Sequence, residues 1–225
     1  IGSGNDRVCF ALANRQSVIP CAIRLDDESA WALAALVPLL GCGEEAAALG
    51  FARLGTAHRF DPDARTILDR IAFEERHHDA LMRGLKAALP FRPVKSGVLD
   101  RIRHFHFGLA QGGPVQHLAC IAGLDAAVCT IISRLIRPRA ILSGDRAILT
   151  LLRQIRDDEA RHVAASRALV LAAPDAGDFR DRAAQIRVGL AALLVDGHDA
   201  FERLGVDPVR LDRDLCCLPD GLLPR

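Results

Sequence analysis

The chain has 225 residues, half of them hydrophobic and a quarter charged, with a formal net charge of +1. The length suits one large domain, or one domain with a small appendage, and the balanced charge gives none of the one-signed field that nucleic-acid or anionic-membrane partners require. Seven cysteines form no paired Cys-x-x-Cys spacing and leave at least one thiol unpaired, which excludes a secreted disulfide framework and a structural zinc site of that type.

Alanine, leucine and arginine outweigh valine and threonine, a mixture that predicts an all-α protein. No uninterrupted apolar run reaches the roughly 18 to 20 residues of a membrane span. The apolar stretch Val8 to Leu12 is cut short by Arg15 and Gln16 before a signal-peptide core develops, so the expected location is the cytoplasm.

In chain order, Asp26, Asp27 and Glu28 are placed to start a helix, because their carboxylates accept hydrogen bonds from its free N–H groups and complement its positive end. The pattern runs to about His58, with a kink or restart expected at Pro38. Asp61-Pro62-Asp63 forms a turn, Asp63 is the predicted cap of a second helix to about Leu89, and Pro90 to Pro93 ends it. A short helix over Val98 to Leu109 precedes Gly112-Gly113-Pro114. Further helices are predicted over Val115 to Ile136, from Gly144-Asp145 to Ala172, and over Phe179 to Leu204, before an irregular or short-helical tail.

Within these helices one spacing recurs: Glu75-Arg76-His77-His78 and Glu159-Ala160-Arg161-His162 each place a carboxylate three residues before an imidazole. On a helix such residues share a face and can offer an oxygen and a nitrogen to one metal ion. Leu68, Ile71, Glu75, His78, Met82 and Leu85 follow steps of three and four. Leu152, Ile155, Glu159, His162, Ser166 and Leu169 repeat that stripe. The alignment favours Glu75 and His78 over Glu74 and His77, which have the same spacing and stay as the alternative.

The preceding helices carry acids on comparable stripes. Val37, Leu40, Glu44, Ala48 and Phe51 contain Glu44, preferred over Glu45 on the adjoining face. Leu118, Ile121, Asp125, Val128 and Ile132 contain Asp125 as their only acid. Arg76 and Arg161 could instead pair with the motif carboxylates as ordinary salt bridges. Cys129, one turn after Asp125, is either core filler or a pocket-lining residue. His117 stands about 12 Å from Asp125 along the helix, too far to share its metal, and His104-Phe105-His106 would make a two-ligand clip only in a strand.

The order Glu44, Glu75-x-x-His78, Asp125, Glu159-x-x-His162 resembles the ferritin-like di-iron carboxylate superfamily. Its bundle core takes a carboxylate from each of two helices and a Glu-x-x-His pair from each of the other two. The resemblance implies a four-helix bundle over residues 27–172, an N-terminal segment over 1–26, and a C-terminal helix and tail over 173–225 packed on the bundle. It further implies two iron ions, with manganese as the alternative, bridged by Glu75 and Glu159. Glu44 and His78 would complete one metal's shell, and Asp125 and His162 the other's. Asp125 departs from the family pattern of glutamate and is one methylene shorter.

The function so implied is that of an oxidoreductase of the oxygenase or hydroxylase branch, which activates O2 to oxidise a small organic substrate, with no catalytic residue beyond the metal ligands. An electron-donor protein and a homodimer are the implied partners. The alternative is a non-catalytic or ferroxidase-type iron or manganese binding and storage protein. The chain has no tyrosine, so a tyrosyl-radical role is unavailable.

Overall fold

The computed structural model describes residues 23–94, 96–173 and 180–218, and every regular element among them is helical. The α-helices are α1 (Asp27–Gly55), α2 (Pro62–Ala88), α3 (Val98–Leu109), α4 (Pro114–Leu135), α5 (Arg146–Ala172), α6 (Arg180–Leu194), α7 (His198–Arg203) and α8 (Pro208–Cys216).

Aspartate caps start three of the four long or site-bearing stretches. The Asp26 carboxylate accepts from the Ser29 amide at 2.8 Å, and Asp61 accepts from the Ala64 amide at 2.7 Å. Asp145 accepts from the Ala147 and Ile148 amides at 2.9 and 3.0 Å. Each satisfies donors that the first turn leaves unpaired, typically worth about 1 kcal/mol per cap. Asp145 also accepts from the backbone N–H of Arg24, which ties the segment before α1 to the start of α5. The cap of α2 is Asp61, not Asp63: Pro62 occupies the first helical position, where its missing N–H costs nothing.

Other departures from expectation are local. α1 continues through Pro38 as one helix and ends at Gly55, short of His58. The predicted helix to Leu204 is divided into α6 and α7 by the single 3₁₀ turn Val195–Gly197. The tail folds one more helix, α8, capped by Asp207. The proposed break at Pro174 to Gly177 lies outside the described residues.

α1 packs along α2 and α4 along α5, with further contacts between α2 and α5 and between α1 and α4. Two apolar clusters hold this assembly. One takes Leu33, Leu36 and Val37 from α1, Leu81, Met82 and Leu85 from α2, Ile131, Ile132 and Leu135 from α4, and Ile148, Leu151, Leu152 and Ile155 from α5. The other takes Phe51 and Leu54, Leu68 and Ile71, Leu118 and Ile121, and Val170 from the same four helices. α1 and α5 therefore run from the first cluster to the second, whereas α2 and α4 run back. The stretch between α2 and α4, including α3, carries the chain across without reversing direction.

α4 is flanked on its other side by α6, where Gly123 permits close approach: a Cβ there would lie 3.2 Å from that of Ala183. α8 packs on α6 and α4, and α7 on α1. Both α1 and α4 contain an 18-residue window apolar enough, by length and composition, to cross a membrane. In α4 that window is 72% buried against the rest of the protein, as in the central helix of a helical core.

Candidate metal centre

Between the two apolar clusters lies a polar layer. Along each of the four long helices the aliphatic residues of one cluster give way to an acid and then to the other cluster: Glu44 on α1, Glu75 on α2, Asp125 on α4 and Glu159 on α5. His78 and His162 follow one turn after their glutamates. All six side chains are buried, none more than 5% exposed. Carboxylates withdrawn from water this far cost several kcal/mol each, on the order of the penalty for any buried unpaired ion. The layer needs a compensating positive charge.

The inner atoms converge. Glu44, Glu75, His78 and Glu159 each present a ligand atom, all within 4.8 Å of one another. His78 Nδ1 is 3.2 Å from Glu159, 3.3 Å from Glu44 and 3.4 Å from Glu75. His162 Nδ1 is 2.8 Å from Glu75 and 3.6 Å from Glu159, so it faces the same two glutamates from the other side. The imidazole centroids are 5.7 Å apart. Asp125 joins Glu44, Glu75 and Glu159 in the wall of an apolar cavity of about 50 Å³.

Despite this crowding, both Nδ1 atoms, both Glu75 oxygens, Glu159 Oε2 and Asp125 Oδ2 are buried without an aligned hydrogen bond. Buried polar groups are ordinarily paired. Carboxylate oxygens and imidazole nitrogens that crowd together in this way can hold a divalent metal ion. The residues fit such an ion.

The outer nitrogens are held separately. His78 Nε2, on α2, is 3.1 Å from Asp158 on α5, and His162 Nε2, on α5, is 2.9 Å from Glu74 on α2. Arg161 closes the circuit, 2.6 Å from Asp158 and 3.4 Å from Glu74. A carboxylate on the outer nitrogen leaves Nδ1 free of its proton and fixes the ring for ligation. Each half of the layer thus orients the imidazole of the other.

Without a metal the layer holds protons instead. Burial, with Glu159 and Glu75 nearby, pushes Glu44 up to about 8, and burial with the same two neighbours raises Asp125 well above its ordinary range. Glu75 moves the other way, to about 2: burial opposes its ionisation, but the two imidazoles outweigh it. Burial also opposes charging of both histidines, yet the surrounding carboxylates raise them well above the usual imidazole value. A divalent cation would reverse this arrangement by favouring ionised carboxylates and neutral rings.

Of the residues proposed from spacing, Glu44, Glu75, His78 and Glu159 share the compact cluster, His162 meets its two central glutamates, and Asp125 lies on the adjoining cavity wall. Glu74 faces the outer nitrogen of His162, while Glu45 is exposed beside a surface groove. Arg161 pairs with Glu74 and Asp158 rather than with the motif glutamates, and Arg76 is exposed. The Cys129 thiol donates to the Arg156 carbonyl at 3.6 Å, and Val128 lines the cavity in its place. His104 and His106 lie on helix α3, so they form no strand clip.

The outer role of Glu74, which the sequence offered only as an alternative ligand with His77, and the part of Asp158 escaped the sequence reading, although a signal was present. Each motif is preceded by another acid, giving Glu74-Glu75-x-x-His78 and Asp158-Glu159-x-x-His162. One residue earlier on a helix turns the side chain by about 100°, toward the neighbouring helix. Comparison with family models, curated proteins and solved structures finds no significant match to this chain.

Proposed function

We propose that the protein is a ferritin-like di-metal carboxylate oxidoreductase that uses O2 to oxidise a small organic substrate. The observation that carries this reading is the reciprocal layer itself: two Glu-x-x-His turns, on α2 and α5, present inner donor atoms to each other and hold each other's outer nitrogens. The helix directions support the bundle assignment. α1 and α2 are antiparallel, as are α4 and α5, and one crossover joins the pairs, the connectivity of ferritin-like bundles.

In this reading Glu75 and Glu159 would be shared by two metal ions, Glu44 and His78 would hold one of them, and Asp125 and His162 would hold the other. Iron bound there would supply the electron transfer to O2 that side chains alone do not provide. The chain's residues supply the rest. Asp158 and Glu74 fix the imidazoles, and the apolar cavity wall excludes bulk water from the reacting face. For a hydroxylation, one O2, two electrons and two protons yield one hydroxyl on the substrate and one water, so an external reductant must deliver the electrons.

The test is anaerobic Fe(II) loading followed by exposure to O2. Uptake of two irons per chain and O2 consumption with a transient absorbance are expected. Absence of iron uptake and O2 consumption would refute the reading, and iron accumulating far beyond two per chain in a cage-sized assembly would establish storage instead.

A further inference from the structure

A second cavity lies on the outside of the same wall. The inner cavity at the carboxylates is bounded on α1 by Gly43 and Glu44 and on α3 by Ile102 and His106. A surface groove of about 260 Å³ runs along the adjoining faces of these helices, lined by Cys42, Ala46 and Gly50 and by Leu49 and Phe107. The last two side chains are large, apolar and exposed, at 68% and 76%. His106 borders both spaces.

The partition at this point is thin. A Cβ on Gly43 would stand 3.9 Å from two atoms of the His106 ring, so α1 offers no side chain of its own there. The ring borders both spaces, so one of organic-ligand dimensions adjoins one of about 50 Å³, which holds little more than the end of a chain or a diatomic gas.

The groove also has charged walls: Arg53 and Glu45 of α1 and Arg103 of α3 line it. Burial depresses the two histidines in its wall, His106 and His117, to about 4, so they add nothing near neutrality. Arg103 also lies 3.4 Å from Asp100. Arg53 has no carboxylate partner among the described residues, which leaves its planar donor fork available.

We propose that this groove binds the substrate of the metal centre, a small apolar monocarboxylic acid. Its carboxylate is held by Arg53 with help from Arg103, its body lies between Leu49 and Phe107, and its apolar end is directed past His106 and Gly43 toward the glutamates. A single guanidinium without a carboxylate partner matches a monoanion better than a dianionic phosphate. The proposal rests on the di-metal reading for the purpose of the groove, but not for the binding itself.

The test uses octanoate as probe, with octanol and octylamine as uncharged and cationic controls, on protein loaded with Co(II) or Zn(II). Titration calorimetry should show octanoate binding at least about tenfold more tightly than either control. Arg53→Gln should remove about that factor, and Arg103→Gln less, with metal content unchanged. In the NMR spectrum of octanoate, Co(II) but not Zn(II) protein should broaden the terminal methyl more than the α-methylene. Gly43→Leu should abolish that broadening while leaving calorimetric binding in place.

Equal affinity for octanol, indifference to Arg53→Gln, or stronger broadening at the α-methylene would overturn the proposal. If the chain takes up no metal, the di-metal reading fails by that measurement. Octanoate selectivity and its dependence on Arg53 still decide the groove on the metal-free protein.

Discussion

The two halves of the polar layer are built on one plan and finished differently. On the α1/α2 side, Glu44 and His78 meet Glu75 and Glu159 in a knot of ligand atoms within 4.8 Å. On the α4/α5 side the corresponding acid is Asp125, which lies outside that knot and whose Oδ2 is buried without an aligned hydrogen bond. The imidazole of that half leans on Glu74, which is more exposed than Asp158, its counterpart. Similar helical registers therefore present one compact cluster of donor atoms and one looser one. In the di-metal reading, the methylene by which Glu44 exceeds Asp125 would make the first the tighter site.

The severest way to break this comparison is to remove what both halves share. Glu75→Ala or Glu159→Ala should abolish binding of both metals, measured as metal content after dialysis, with a loss exceeding the roughly 10- to 100-fold expected of an outer partner. If either variant retains one tight metal, the two halves are independent and neither glutamate bridges. Next in size, Asp125→Ala should lower the stoichiometry from two to one, whereas Asp125→Glu should tighten the weaker site in a competition titration. Glu44→Ala should instead impair the tighter one.

The outer carboxylates sharpen the comparison further. Asp158→Asn should weaken the metal held by His78, and Glu74→Gln that held by His162, each by roughly 10- to 100-fold. The smaller effect should fall on Glu74→Gln, because the more exposed partner constrains its ring less. Site-resolved Co(II) spectra would report which half is affected.

Much of this plan was legible in the chain. Steps of three and four carry an apolar stripe through Leu68, Ile71, Met82 and Leu85, and a polar residue that interrupts such a stripe has to be accommodated in a core. That logic picks out Glu75, His78, Glu159 and His162 without coordinates, and it selects Glu44 because Glu45 is turned off the stripe. The doubled acids Glu74-Glu75 and Asp158-Glu159 were visible, but the outer role of Glu74 and Asp158 was not, because it depends on contacts across some 80 residues between α2 and α5, which helical periodicity within one element does not encode. Asp61 displaced Asp63 as a cap because Pro62 is better placed as the first helical residue than in the turn before it. The division between α6 and α7 was likewise hidden, since Val195 to Gly197 interrupts an otherwise helical pattern with only a local 3₁₀ turn.

Acidity gives the gentlest probe. In the metal-free protein Glu44, Asp125, His78 and His162 all titrate above their ordinary values, so folding takes up protons and stability declines as pH rises, for Glu44 between its ordinary 4.5 and about 8. Glu75 is depressed to about 2 and contributes the opposite slope, lost as pH falls below 4.5. From these groups the metal-free chain should be most stable at about pH 4.5, where the Glu75 contribution is complete and the loss from Glu44 only begins. Metal binding requires deprotonated ligands, so the rise in Tm on adding Fe(II) or Mn(II) should grow from pH 5 to pH 8. A metal-free Tm that climbs steadily over that interval would show that the buried layer does not hold these protons.

The most direct measurement is anomalous diffraction from crystals of the protein loaded with Mn(II) or, anaerobically, Fe(II). Two peaks less than about 4 Å apart are expected between Glu75 and Glu159, the stronger beside Glu44 and His78 and the weaker beside Asp125 and His162. A single peak outside this layer, or none within it at saturating metal, would contradict the account.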